Sequence, residues 1–382
     1  MKKILFVSTN PLSFKAFNMD LFYFLQQKEF EVHAAAGYGN EIDFLQEKGV
    51  VFHQLEIPRK INVLKDLKAG MALMNLIKKE KFDIVHSQTS KAGFIARLAA
   101  KFTGVRVIVH NVGGWAFNEF LPNYKKTMYL FLERAAGLFC DVVIAVSKFV
   151  KDDGINYNVL PENKIELVYN GVNTTRFKPI STEEKTFLKK ERGLDSTKTI
   201  IGTVSRIVKD KGIEDIISAA KLLKDNETVF FVIVGDGEKR IDYERKVKEE
   251  GLEQNFLFTG YSANIDKWMN VFDVFLLPTL REGFGVVFAE AQSSGIPVIG
   301  TDIPALREVV LDGQSGFLVE PCNCRKLADK INLLLNKVLC DNMGQKGREH
   351  VVENFSSEQN SIKTYEIYKK IWEKKFKKAL NE

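Results

Sequence analysis

Short runs of apolar and β-branched residues recur along this chain, and amphipathic stretches with apolar residues three and four apart separate them. In the first half the runs are "KILFVST", "EVHAAA", "VVFHQLE", "DIVHSQT", "RVIVHNV", "VVIAVS" and "IELVYN", with helical stretches such as "FNMDLFYFLQQK" and "LKAGMALMNLIKKE" between them. Regular alternation of this kind predicts βαβ units on a parallel sheet. After "NGVNTTRFKP" the pattern restarts near Thr199 with "TIIGTVS", "VFFVIVG", "NFLFTG", "VFLLP", "PVIGT" and "GFLVE". These runs alternate with "IEDIISAAKLL", "DYERKVKEEG", "FAEAQSSG" and "KLADKINLLLNKV". The expected fold class is therefore α/β, with two doubly wound Rossmann-like domains facing across a cleft. In such sheets ligands bind outside the carboxyl ends of the strands, so the site is expected in that cleft.

Composition supports two folded domains. A chain of 382 residues exceeds what one hydrophobic core usually organises, and 45% apolar with 27% charged residues supplies full cores. Four cysteines, Cys140, Cys322, Cys324 and Cys340, are too few and too irregular for a disulfide framework, which fits a reducing cytoplasm. The Cys322–Cys324 pair lacks a second ligand pair at zinc spacing. The opening "MKKILFVSTN" has an apolar run of only four residues and reads as a buried strand, not a signal peptide. No run approaches the roughly 18 apolar residues of a membrane span. The net charge of +6 is concentrated in the first half, +5 before residue 173 and +1 after it. That balance is too weak for a nucleic-acid footprint but compatible with an anionic membrane surface or a phosphorylated substrate.

Candidate chemistry centres on "REGFGVVFAEA", residues 281–291, which follows the strand "VFLLP" and should open a helix from about Val286 to Ser294, ended by Gly295 and Pro297. Gly283 and Gly285 allow close approach of a ligand to backbone, and the N–H groups at the helix start favour an anion such as phosphate. Glu282 then lies in the loop and Glu290 in the helix. A carboxylate beside phosphate is repelled unless its partner is a diol, and a ribose offers two adjacent hydroxyls. A nucleotide meets both demands. Phosphate also needs cations, and "TVSRIVKDKG" supplies Arg206 and Lys211 after the first strand of the second sheet. Taken alone, the same residues could be surface glutamates on an α/β crossover and a solvated basic loop.

"SRIVKDKG", "VGDGE", "LPTLREGFGVVFAEAQSSGIPVIGTD", "GFLVEP" and "NGVNTTRF" together resemble the family 4 retaining glycosyltransferases of the GT-B fold, across nearly the whole chain. The Glu282 to Glu290 spacing is similar to that family's EX7E motif. The resemblance implies transfer of a sugar from a nucleotide donor with retained anomeric configuration. It implies that Glu290 holds the ribose, Glu282 with the backbone of Gly283, Phe284, Gly285 and Val286 holds the donor sugar, and Arg206 and Lys211 neutralise the diphosphate. It places Gly260 and Tyr261 beside the base, with UDP as the default nucleotide and no cofactor; no metal is expected either, because no acidic DxD-like pair follows a strand in the cleft. Residues 1–172 would form the acceptor-binding domain and residues 173–361 the nucleotide-sugar-binding domain, with a terminal helix of about 362–382 crossing back to the first.

In the first half, "VIVHNVGGWAF" resembles the family's histidine-containing loop, so His110 is either a donor contact or a structural histidine; His86 in "DIVHSQTSKAG" is the weaker candidate. Trp115, Phe117 and Phe120 line an acceptor pocket or fill a core. The loop "STNPLSFKAFN" departs from the glycine pair that many members carry, and this loop with "HSQTSKAGFIARLAAK" is similar to enzymes that extend polyprenyl-diphosphate-linked glycans. The implied partners are a nucleotide-sugar donor and a lipid-linked glycan acceptor, with no nucleic acid. The terminal "TYEIYKKIWEKKFKKALNE" puts Tyr365, Tyr368, Trp372 and Phe376 on one stripe among Lys369, Lys370, Lys374, Lys377 and Lys378. Packing on a domain is the expectation, with contact to the inner face of an anionic membrane as an alternative. A soluble transferase acting on a small sugar, an epimerase and a non-catalytic partner subunit are the other readings.

Overall fold

The computed structural model describes residues 2–58, 62–117 and 121–381, with the side chains of the terminal helix described as far as Lys377. Phe120 and the side chain of Lys378 lie outside the described residues. The chain divides into two compact units, residues 1–171 with 357–382, and residues 172–356.

The first unit is a seven-stranded parallel sheet built from β1 (Lys2–Val7), β2 (Phe30–Ala36), β3 (Val51–Gln54), β4 (Ile84–Gln88), β5 (Val107–Val112), β6 (Val142–Ala145) and β7 (Ile165–Leu167). Its order is β3-β2-β1-β4-β5-β6-β7. The second unit is a six-stranded parallel sheet of β8 (Thr199–Val204), β9 (Val229–Val234), β10 (Phe256–Gly260), β11 (Val274–Leu277), β12 (Val298–Thr301) and β13 (Gly316–Val319). Its order, β10-β9-β8-β11-β12-β13, repeats the doubly wound pattern, so the strand order reverses between β8 and β11. Every apolar run quoted above forms a strand. The inner runs are apolar on both faces because helices cover both sides, and Ile4 to Val7 and Val274 to Leu277 are fully buried.

Local chemistry sets the helix ends. Asn62 caps the Val63–Glu80 helix by accepting from Lys65 N at 3.1 Å, and Lys81 ends it in the left-handed region at φ 57°. The Val286–Ser293 helix ends where Gly295 turns with φ 76° before Pro297. "KLADKINLLLNKV" is not one helix as its pattern suggested. The chain breaks after Leu334, and Asn336 starts the Lys337–Asn354 helix by accepting from Leu339 N at 3.1 Å. A side-chain cap offers the backbone an alternative to continuing the helix.

The terminal helix runs Ser357–Asn381, starting before residue 362, and belongs to the first unit. Gly171 has no room for a side chain against Ser357, since a Cβ there would lie 2.4 Å from Ser357 Cα. Tyr368 is buried in the core under β1 and β2, with Tyr365, Ile371 and Trp372 packed beside it. Trp372 lies beneath Lys2 Nζ at 4.3 Å and Arg106 at 5.2 Å. Phe376 departs from the expected stripe: it is 59% exposed, one turn past the last residue that reaches the core. Among the described residues no helix is long and apolar enough to cross a membrane.

Candidate active site

The loops that leave β8 and β11 flank the point where the second sheet reverses its order. After β8 the chain runs through Ser205 and Arg206, makes a short 3-10 turn at Lys209–Lys211 and enters the Ile213–Leu222 helix through Gly212. Gly212 has φ 69°, and a Cβ there would meet Pro278 O at 2.1 Å, so only glycine lets this loop press against the start of the next one. Leu280 N donates to Asp210 O at 2.9 Å, and the buried Thr279 hydroxyl donates to the same oxygen at 3.3 Å. The two loops are joined through backbone.

That seam brings Lys211 and Glu282 together. Lys211 Nζ lies 2.6 Å from Glu282 Oε1, with both side chains largely shielded from water. Arg206 is exposed, and its side chain has no ion-pair partner among the described residues. Ser205 was not singled out by sequence reasoning. Its hydroxyl is buried with no hydrogen-bond partner among the described residues, one residue past the end of β8. Its signal was only its place before Arg206.

Gly285 begins the Val286–Ser293 helix at φ 90° with no side-chain cap, leaving the first N–H groups uncovered by any capping side chain. Phe284 is buried and stacks edge-on against Phe355 at 5.1 Å, so its ring anchors the loop. Gly235 and Gly237 of "VGDGE" are held against the β8 loop: a Cβ on Gly235 would sit 1.8 Å from Ser205 O, and one on Gly237 2.3 Å from Ile207 O. Gly235 N also donates to Gly260 O at 2.9 Å. Gly260 itself turns with φ 77°, and the following Tyr261 is 65% exposed.

Glu290 is half-buried in the middle of its helix. Burial pushes its carboxyl up to about 7; Arg176 lowers it and Asp266 raises it, both by charge. Arg176, from "NGVNTTRF", is gripped by Asp266 at 2.7 Å, and Asn173 Oδ1 fixes the turn by accepting from Arg176 N at 2.9 Å. The Arg176–Asp266 pair beside Glu290 joins residues 90 apart in sequence and escaped sequence reasoning. Among the described residues no group of three His, Cys, Asp or Glu could hold a metal ion, and Cys322 and Cys324 are free thiols.

In the first unit His110 is 1% exposed on β5. Its Nδ1 lies 3.0 Å from Ser87 Oγ, and its ring fills the space left by Gly93, where a Cβ would come within 2.2 Å. Burial holds its pKa well below the usual histidine range. The ring thus packs between β5 and the Ser90–Phe102 helix. Trp115 and Phe117 are buried and stacked at 5.6 Å, with Trp115 Nε1 donating to Val150 O, so both fill the core. His86, the weaker candidate, bonds Tyr368 of the terminal helix.

Comparison with known proteins bears on the family and the fold. The model of Glycosyltransferase Family 4 matches residues 17–176, and that of glycosyl transferases group 1 matches residues 184–350. The capsular polysaccharide biosynthesis glycosyltransferase CapM of Staphylococcus aureus is 31% identical over 350 residues, 88% of each chain. An Escherichia coli UDP-Gal:alpha-D-GlcNAc-diphosphoundecaprenol alpha-1,3-galactosyltransferase is 28% identical over 373 residues, 96% of each chain. Among solved structures, Anabaena HepE in complex with UDP and glucose superposes with a TM-score of 0.84 over 97% of this chain and 100% of that one, at 20% identity. That likeness shows the fold, two parallel-sheet units of GT-B type.

Proposed function

The chain belongs to the family 4, group 1 glycosyltransferases, and from that premise we propose that it transfers a sugar, with retained anomeric configuration, from a UDP-sugar to a polyprenyl-diphosphate-linked glycan during surface polysaccharide assembly. The observation that carries the reading is the Lys211–Glu282 pair, set across the loops after β8 and β11. A cation held in place at a sheet's topological switch point suits a diphosphate. The relative that acts on a GlcNAc-diphosphoundecaprenol and the capsular polysaccharide relative support the acceptor class.

In this reading Lys211 and Arg206 neutralise the leaving diphosphate, with the uncapped N–H groups at Val286 and the Ser205 hydroxyl as further donors. Glu282 and the backbone of Gly283, Phe284 and Gly285 receive the donor sugar, and Glu290 accepts from the ribose hydroxyls. Gly260 and Tyr261 border the base, and His110 stays a packed residue of β5 in the first unit. The acceptor oxygen bonds to the anomeric carbon on the face from which the phosphate oxygen departs. Its proton passes to that oxygen, through an oxocarbenium-like state. Charge neutralisation rests on side chains, so EDTA is expected to leave turnover unchanged.

The test is release of nucleoside diphosphate from UDP-, GDP- and ADP-sugars with and without a polyprenyl-diphosphate-sugar, using Glu282→Gln as control. Acceptor-dependent release from a UDP-sugar supports the proposal. Release only with small soluble sugars would replace the lipid acceptor with a soluble one, and nucleotide binding without release from any donor would point to a non-catalytic subunit.

A further inference from the structure

Three consecutive helices, Val63–Glu80, Ser90–Phe102 and Asn123–Gly137, lie side by side on one face of the first unit's sheet. A Lys91–Asp66 ion pair of 2.7 Å ties the first to the second, and a buried Arg97–Glu133 pair of 3.0 Å ties the second to the third. The two outer helices are apolar on both sides. The first buries Ala69, Leu73 and Ile77, yet Leu64, Leu67 and Met71 are 81%, 60% and 60% exposed on its other side. The third buries Ala136 and Gly137, yet Tyr124, Met128 and Phe131 are 71%, 40% and 69% exposed. In both helices the exposed residues are spaced by three and four, so each set forms one stripe, and each stripe points away from the sheet. Scattered exposed apolar residues need no explanation; a stripe on each of the two outer helices of one sheet face does.

The charges around the stripes are one-sided. The acidic residues of these three helices are Asp66, Glu80 and Glu133, and each is held in an ion pair within the protein, with Lys91, Lys3 and Arg97. Lys65, Lys68, Lys101 and Lys125 are exposed and have no ion-pair partner among the described residues. An apolar ridge framed by free lysines matches the interface of an anionic bilayer, where rings and aliphatic chains enter the acyl boundary and ammonium groups meet phosphates. The terminal helix offers less. Tyr368 and Trp372 are spent on the core, and Lys370 and Lys375 are paired with Glu166 and Asp141.

We infer that this three-helix face is where the protein lies on an anionic membrane surface. The inference deepens the lipid-linked acceptor reading by giving the enzyme a way to reach a substrate that stays in the bilayer, but it stands on the surface alone.

The test uses the full chain and sedimentation with phosphatidylcholine vesicles, with and without about one third phosphatidylglycerol. Wild type should sediment only with the anionic vesicles. Leu64→Ser with Leu67→Ser, and separately Lys65→Glu with Lys68→Glu, should each lower partitioning by about tenfold or more. All four positions are exposed, so thermal unfolding should be unchanged. Wild-type failure to sediment, or variants that sediment like wild type, would overturn the inference. So would loss of self-association in the stripe variants with vesicle binding intact, since the face would then be an interface between copies of this chain. Nucleoside diphosphate release with a detergent-dispersed acceptor keeps the two readings apart. It should be equal in wild type and surface variants, and its absence alongside intact vesicle binding would sink the acceptor reading and leave the docking face standing.

Discussion

Lys211 Nζ lies 2.6 Å from Glu282 Oε1, and the two residues arrive from loops that follow neighbouring strands, 71 positions apart. The carboxylate fixes the ammonium, so in the proposed function the cation's position is set before a donor arrives. Lys211→Ala removes that charge and leaves Glu282 shielded from water without its cation. Turnover is expected to fall by about 10²-fold or more, by the measure of losing one group that stabilises developing charge. Steady-state kinetics checks this, and an unchanged kcat would remove Lys211 from the site.

Burial raises the carboxyl of Glu290 to about 7, so the ribose contact proposed for it should make donor binding depend on pH near neutrality. A protonated acid is a poor acceptor for ribose hydroxyls, so UDP affinity should rise as pH increases, by about tenfold between pH 6 and 8 if the carboxylate is the binding form. Folding runs the other way. The group binds its proton more tightly folded than unfolded, so its stabilising contribution is full below the unfolded value near 4.3 and lost as pH climbs through about 7. Glu290→Gln should flatten both dependences, and Arg176→Ala, by removing the charge that lowers the carboxyl, should move the binding transition to higher pH. Calorimetric UDP titrations across that range decide it; a slope that survives in Glu290→Gln would assign the titration to another group.

The strands and the two-unit architecture were legible because each apolar run is short and bounded by turn residues, and the inner strands are buried on both faces, which leaves the pattern little freedom. The loop positions of Arg206, Lys211 and Glu282 were legible because each follows a strand run, and the helical position of Glu290 because Gly285 and Gly295 bound its segment. The Asp266 that grips Arg176, the Glu133 that neutralises Arg97 and the Tyr368 that meets His86 were not. Each pairing joins segments whose proximity depends on the fold and not on local spacing. The exposed stripes on the Val63–Glu80 and Asn123–Gly137 helices were hidden for a related reason: a periodic apolar pattern reads as a core face, and burial alone shows which side the core uses.

Glycines in the second unit separate backbone strain from steric exclusion. Gly193 and Gly212 have nearly the same φ, 68° and 69°, but a Cβ at Gly193 would meet nothing within 4 Å, while one at Gly212 would lie 2.1 Å from Pro278 O. Gly193→Ala should cost only the left-handed conformation, about 1 kcal/mol. Gly212→Ala must also push the β8 and β11 loops apart, and should cost about 3 kcal/mol or more with a large loss of turnover, since Lys211 and Glu282 then separate. Denaturant unfolding of the two variants makes the comparison, and equal costs would mean the loop seam is soft.

The terminal helix is fastened by a buried bond between Tyr368 and His86 Nδ1, while His86 Nε2 has no hydrogen-bond partner among the described residues. Burial holds the His86 pKa down at about 3, so the folded ring is neutral where the unfolded one would take a proton below about 6.5. Its contribution is therefore present above that value and lost as pH falls from about 6.5 towards 3. Tyr368→Phe keeps the ring and deletes the hydroxyl, leaving the imidazole with neither nitrogen bonded, at an expected cost of about 1–3 kcal/mol. Tyr365→Phe, on the same helix one turn earlier and only partly buried, should stay within about 0.5 kcal/mol. Thermal unfolding of both variants at neutral pH tests the bond. Equal melting temperatures would mean the helix is held by Trp372 and its apolar neighbours alone, and that the hydroxyl contributes nothing.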